Sequence, residues 1–196
     1  MTFVLATANP GKIKEMRDIL SGMGIDVVTR KDLGIELDVD ETGTTFAQNA
    51  LLKADAICKA SGLPAIADDS GLIVEALDGE PGLYSSSYGG EELSAEQRCA
   101  YLLEKMQNKE QRSAKFVCTI VCSFPDDMPL IAEGECRGEI IAEQRGINGF
   151  GYDPIFLVPG TNKTMAELSS NEKNQISHRG EALRSFVRLL NERGIG

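Results

Sequence analysis

Two pairs of adjacent carboxylates, Asp40-Glu41 and Asp68-Asp69, and two lysines, Lys12 and Lys53, are the residues of this chain whose types suit phosphate chemistry. A hard cation such as Mg²⁺ takes oxygen ligands, commonly one or two carboxylates, and leaves its other positions to water and substrate phosphate. Adjacent residues on an extended chain point to opposite sides, so one member of each pair is expected to face a site. Turn chemistry or a solvated surface would leave the same pairs in a sequence. Asp68-Asp69 is the stronger of the two, because it ends the apolar run Ala65 to Ala67, and open α/β sheets place ligands at the carboxyl ends of their strands.

Thr7-Ala8-Asn9-Pro10-Gly11-Lys12 follows an apolar strand and opens a helix. Backbone N–H groups at a helix start, together with Lys12, favour phosphate oxygens through unpaired donors and the positive end of the helix dipole. It is not a P-loop, since Ala6 stands where that motif needs its first Gly and Ile13 where it needs Ser or Thr. An ordinary Asn-Pro-Gly turn capping a helix would look the same. With Phe46 set at 0° and about 100° per residue, Ala50 falls near ~40°, Ile57 near ~20°, Lys53 near ~340° and Asn49 near ~300°. A charge and an amide thus share one edge of a buried stripe, either as a snorkelling lysine with its neighbour or as a polar pair aimed along the helix at the acidic loop. Gly149-Phe150-Gly151-Tyr152-Asp153-Pro154 is a turn whose glycines allow close backbone approach and whose Phe150 offers a ring face to a base. Lys173 and the pair His178-Arg179 complete the candidates; the histidine is either a structural residue or a donor to a carbonyl or phosphate.

The elements that must position these groups alternate strand and helix. Strands are predicted at Phe3 to Ala6, Ile25 to Thr29, Lys115 to Phe124 and Ile155 to Val158, with Leu130 to Cys136 and Glu139 to Ala142 as further strands of a meander. Ala65 to Ala67 and Leu72 to Val74 read as two short strands around an Asp-Asp-Ser-Gly turn. Helices are predicted over Gly11 to Met23, Phe46 to Ser61, a segment opened by the Ser94/Gln97 capping box, and Ser177 to Arg193. This is an α/β pattern with a mixed sheet, in one domain spanning 1–196.

Composition narrows the partners. A formal net charge of −10 excludes a nucleic-acid polymer, which needs a broad basic face, but leaves room for a small polyanion held by local lysines, amides and a bridging metal. No apolar run approaches the ~20 residues a membrane helix needs, and no secretory leader pattern opens the chain, so a cytoplasmic protein without membrane contact is expected. Five cysteines (Cys58, Cys99, Cys118, Cys122, Cys136) without a C-x-x-C pair and with a single histidine point to reduced core thiols rather than a zinc site.

Taken in order, these segments resemble the ITP/XTP pyrophosphatase family. The resemblance runs through Thr7 to Lys12 with Glu15, Glu41-Thr42-Gly43, Phe46 to Ala54, Ala67 to Leu72, Pro81-Gly82, Gly149 to Pro154, Glu172-Lys173 and Ser177-His178-Arg179. Two departures stand out: Ala8 where the family usually has Gly, and Ser87 where Arg is expected. The resemblance implies an elongated two-lobed α/β fold with a mixed central sheet and a substrate cleft between lobes, a homodimer, Mg²⁺ dependence, and hydrolysis of non-canonical purine nucleoside triphosphates to monophosphate and pyrophosphate. It further implies Asp69 and Lys53 as catalytic residues and Asp40, Glu41 and Asp69 as metal ligands. Thr7 to Lys12, Asn49, Ser70, Phe150 to Asp153, Lys173, His178 and Arg179 would bind substrate. A pyrophosphatase for modified pyrimidine or standard nucleotides and a non-catalytic nucleotide sensor stay open as alternatives.

Overall fold

The computed structural model describes residues 1–195. Its seven strands are β1 (Phe3–Leu5), β2 (Val27–Thr29), β3 (Ala65–Val74), β4 (Ser113–Ser123), β5 (Leu130–Ile140), β6 (Phe156–Val158) and β7 (Lys163–Thr164). They pair in the order β2-β1-β3-β4-β5-β6-β7. The sheet is mixed: β1 runs parallel to β2 and β3, with Val4 opposite Ala65, whereas β6 is antiparallel to β5 and β7. Five α-helices accompany it: α1 (Pro10–Gly22), α2 (Phe46–Ser61), α3 (Ala95–Lys105), α4 (Ser170–Ile176) and α5 (His178–Glu192). Among the described residues no helix is long and apolar enough to cross a membrane.

Two of the expected strand breaks do not exist. The Asp-Asp-Ser-Gly segment lies inside the single strand β3 rather than in a turn, and Leu130 to Ile140 is one strand without interruption. Ser70 and Gly71 look like turn residues in isolation, but strand propensity follows pairing and burial, and β3 sits between β1 and β4. Helix α4 and strand β7 were not predicted.

The chain divides into two compact units. The first comprises residues 1–69, 118–134 and the chain from His178 onward. Alternation along β1 sends Phe3 and Leu5 to one side, where they pack with Met16, Ile19 and Leu20 of α1 and Leu183, Phe186 and Leu190 of α5. Val4 goes to the other side, against Ala50, Ala54 and Ile57 of α2. Burial of Leu183, Phe186 and Leu190 contributes roughly 5–9 kcal/mol before conformational entropy, which fixes the helix that begins with His178-Arg179. The second unit, residues 70–117 and 135–177, packs Leu72, Val74, Leu102, Met106, Phe116, Ile140 and Phe156 into its own core. Phe116 and Phe156 meet there at a tilt of 40°, with ring centroids 4.5 Å apart.

Local signals explain the helix ends. Asn9 caps α1 by accepting the Lys12 N–H at 3.1 Å, with Pro10 in the first turn where its missing N–H is harmless. Thr45 caps α2, which stops at Gly62 in the left-handed region at φ 67°. The predicted capping box of α3 is present, Ser94 Oγ accepting from Gln97 N and Gln97 Oε1 from Ser94 N. At Gly134 on β5, a Cβ would run into the carbonyl oxygen of His178 and the backbone nitrogen of Ala182. The first turn of α5 therefore rests directly on strand backbone. Gly134→Ala is expected to destabilise the protein by about 1–3 kcal/mol, read as a lowered urea midpoint; an unchanged midpoint would mean that α5 does not rest there.

Candidate functional site

In the first unit the two aspartates of β3 take different partners, as alternation along a strand requires. Asp68 is 1% exposed, and its Oδ2 accepts from Arg179 Nη2 at 2.9 Å, from Arg179 Nε at 3.3 Å and from Lys12 Nζ at 3.0 Å. Arg179 Nη1 pairs with Glu15, so Glu15, Arg179, Asp68 and Lys12 form a chain of alternating charge whose formal sum is zero. Burial opposes the Asp68 charge, but Lys12, Arg179 and Lys53 outweigh it and hold its carboxyl below the usual carboxylate range. Burial likewise opposes the Arg179 charge, and Asp68 and Glu15 overcome it, raising that guanidinium further. Asp68 is thus held as an anion between Lys12 and Arg179.

Asp69 is placed otherwise. Its Oδ1 lies 3.4 Å from Lys53 Nζ, and its Oδ2 accepts from Asn49 Nδ2 at 3.2 Å. Lys53 Nζ also contacts Glu41 Oε2 at 3.0 Å, so one ammonium bridges carboxylates from the acidic loop and from β3. Burial pushes the Asp69 carboxyl up; Lys53 works against this and Glu41 with it. For Lys53, burial acts downward but Asp69, Asp68 and Glu41 prevail and raise it, so it stays cationic. An Asp69 carboxyl raised by burial beside a fixed cation has the character of a base that can accept a proton.

The donor set fits a hard cation. Asp69 and Glu41 offer carboxylate oxygens of the kind a hard cation takes, and both contact the Lys53 ammonium. Among the described residues no group of three or more His, Cys, Asp or Glu side chains could hold a metal, so water and phosphate would have to supply the remaining positions. Asp40, the third expected ligand, is exposed; Glu41 is the member of its pair that reaches the cluster.

The phosphate-loop candidates surround the start of α1. Thr7 Oγ1 accepts the Asn9 N–H at 3.2 Å, while Ala8, Asn9 and Pro10 are exposed and Gly11 and Lys12 half-buried. Among the described residues, the non-glycine positions with positive φ are Asp78, Asn108 and Asn162. Ala8 is therefore unstrained, and the departure from Gly is accommodated. Asn49 is buried, with its amide committed to Asp69 and to the Gly43 N–H at 2.8 Å. His178 and Arg179 are also buried, and three Arg179 nitrogens face carboxylates rather than open space.

The second unit gathers the aromatic turn. Asp153 Oδ2 accepts from the Phe150 N–H at 2.8 Å and from Lys173 Nζ at 2.5 Å, and Lys173 Nζ stands 4.9 Å from the Phe150 ring centroid. Lys173 is buried on α4, whose Ser169/Glu172 capping box was the overlooked signal for that short helix. Gly149 has φ 73°, and a Cβ there would lie 2.0 Å from Asp153 Oδ2 and 3.1 Å from Lys173 Nζ, so both backbone and space require glycine. The turn is tied down by Tyr152 Oη donating to Ser85 O at 2.9 Å and Cys99 Sγ to Gly151 O at 3.3 Å. Ser70 lies half-buried on β3. Glu15 and Asp68 belong to segments read from the sequence, but nothing there announces their pairing with Arg179, nor the contact of Cys99 with Gly151.

Carboxylates and ammonium groups beyond the carboxyl end of β1 and on its parallel neighbour β3, beside a helix start, make this an α/β protein with a site suited to polyphosphate and a hard cation. The chain belongs to the Ham1 family, whose model matches residues 3–189. It is 54% identical over 184 residues to the dITP/XTP pyrophosphatase of Haemophilus influenzae, covering 92% of this chain and 94% of that protein. It is 48% identical over 189 residues to the dITP/XTP pyrophosphatase of Thermus thermophilus, covering 95% of this chain and 90% of that one. The solved structure of the Staphylococcus aureus Ham1 protein superposes with a TM-score of 0.88 at 45% identity, covering 98% of this chain and all of that one.

Proposed function

We propose that this chain hydrolyses ITP, dITP and XTP to the nucleoside monophosphate and pyrophosphate, removing these nucleotides from the cellular pool. The observation that carries the reading is the Asp69, Lys53 and Glu41 cluster, a base, a cation and a second carboxylate within contact distance, in a chain whose relatives are named dITP/XTP pyrophosphatases. The Thr7 to Lys12 segment binds phosphate oxygens at the start of α1, through the Lys12 ammonium and the positive end of the helix dipole. Asp69 orients a water and takes its proton as the water oxygen bonds to the α-phosphorus. The bond from that phosphorus to the bridging oxygen breaks, and pyrophosphate leaves. Lys53 offsets the charge that develops. Mg²⁺, held by Asp69 and Glu41 with exposed Asp40 as a further candidate, would supply charge neutralisation on the phosphate oxygens.

Phe150 offers its ring to the purine, and Lys173, steadied by Asp153, offers a donor that suits a keto oxygen and not the amino group of adenine. His178 and Arg179 act from the start of α5, Arg179 through Asp68. The homodimer that the resemblance implies and the cytoplasmic location expected from the sequence accompany this reading.

Product analysis on a panel of ITP, dITP, XTP, GTP, ATP, dUTP and TTP, with Mg²⁺ and with chelator, tests it. Pyrophosphate is expected from ITP, dITP and XTP with kcat/KM about 10²-fold or more above ATP, and none with chelator. Orthophosphate as product, preference for dUTP or TTP, or binding without turnover would each overturn the proposal.

A further inference from the structure

Asn49 stands one turn before Lys53 on α2 and is 4% exposed. Both ends of its carboxamide are used: Oδ1 accepts the Gly43 N–H at 2.8 Å, and Nδ2 donates to Asp69 Oδ2 at 3.2 Å. The partners themselves fix this orientation, because a flipped amide would set its carbonyl against a carboxylate and its NH₂ against an N–H. Gly43 belongs to the loop that carries Glu41, two residues earlier. A Cβ on Gly43 would lie 2.6 Å from Asn49 Oδ1, 2.7 Å from Gln48 Cβ and 2.9 Å from the Asn49 backbone nitrogen. The loop backbone therefore lies directly on this carboxamide, and glycine is required by proximity alone. Gln48 strengthens the same seam, its Oε1 accepting from the Thr44 N–H at 2.7 Å.

The two oxygens of Asp69 thus have separate assignments, Oδ1 to Lys53 and Oδ2 to Asn49, and both of those side chains reach the acidic loop, through Glu41 and Gly43. We infer that Asn49 is a positioning residue that holds the carboxylate of Asp69 and the Glu41 loop as one preset unit, rather than a group that contacts the nucleotide. The inference rests on the catalytic reading of Asp69 given above. A carboxylate held at one oxygen by a neutral donor keeps its plane while the other oxygen works, and an acidic loop anchored at Gly43 need not be ordered at each turnover.

The test combines amide exchange on the metal-free full chain with kinetics. In Asn49→Ala, exchange across residues 41–45 is expected to rise about tenfold or more in the absence of metal and nucleotide. At saturating Mg²⁺, kcat for ITP is expected to fall about 10- to 100-fold while KM stays within about twofold. Asn49→Asp, equal in shape but unable to donate to Asp69, should lose kcat alike. In an Asp69→Asn background, Asn49→Ala should change kcat by less than about twofold. A raised KM with intact kcat would make Asn49 a substrate contact and overturn the inference. Unchanged loop exchange would overturn it as well. If Asn49→Ala does not fold, Gly43→Ala, which keeps the amide but displaces it, carries the same two expectations. Absence of pyrophosphate release by the wild-type chain would defeat the catalytic reading instead, while the exchange result still decides whether Asn49 holds the loop.

Discussion

Asp69→Asn is expected to lower pyrophosphate release from ITP by about 10²- to 10⁴-fold while leaving the protein folded. The substitution preserves shape and can still accept from Lys53, but it removes the charge that would bind a cation and the basic oxygen that would take a proton. Its effect on stability has a definite sign. The Asp69 carboxyl is pushed up by burial, with Lys53 only partly restoring it, so the fold disfavours its ionised form. A group whose folded pKa is raised contributes stability below its unfolded pKa and loses it as pH rises through the folded value. At neutral pH the neutral amide should therefore leave the thermal midpoint unchanged or higher. An inactive variant that melts no earlier than wild type would mark a residue kept for chemistry at the expense of stability. Turnover near wild type would remove Asp69 from the mechanism, and a sharply lowered midpoint would make it a structural residue.

Arg179→Met is expected to act in the opposite way, chiefly on stability. Arg179 is 1% exposed and stands between Asp68 and Glu15. Removing it leaves Asp68 with Lys12 and strips Glu15 of its guanidinium. Breaking a buried ion network from one side costs about 3–5 kcal/mol, which for a chain of this size lowers the thermal midpoint by roughly 6–20 °C. The acid limb should change too. Asp68 is held below the usual carboxylate range, so its contribution is complete above its unfolded pKa of about 3.9 and is lost as pH falls below that toward the folded value. With Arg179 gone the Asp68 carboxyl moves back up, and the fall in stability below about pH 4 becomes shallower. A midpoint within a degree or two of wild type, measured with the acid limb in a thermal series, would show that the network is not a structural joint.

Much of this was legible in the chain itself. The helix predicted over Phe46 to Ser61 is found with those bounds, its apolar period matched by the burial of Ala50, Ala54 and Ile57 and its ends fixed by Thr45 and Gly62. That Asp68 and Asp69 face opposite ways accords with alternation along an extended chain, but which of them meets Arg179 and which Lys53 depends on distant segments. What could not be read depends on encounters between distant segments. Ser70-Gly71 suggested a turn because only the assembled sheet shows strand neighbours on both sides. Arg179, beside His178, suggested a donor reserved for substrate, because nothing nearby in sequence announces Glu15, 164 positions earlier, or Asp68, 111 positions earlier. Glu15 itself sits next to Met16 on the buried side of α1. An acid there is explicable only once its partner is known. Helix α4 was missed because seven mostly polar residues carry no apolar period.

All five cysteines are buried thiols. Burial pushes the Cys99 and Cys118 thiols up to about 12, far from the thiolate that reacts with maleimides. Burial of all five shields the natural thiols from thiol-directed fluorophores and spin labels. A single cysteine introduced at a fully exposed position such as Ile147, 98% accessible, could carry a reporter without stripping the natural thiols first.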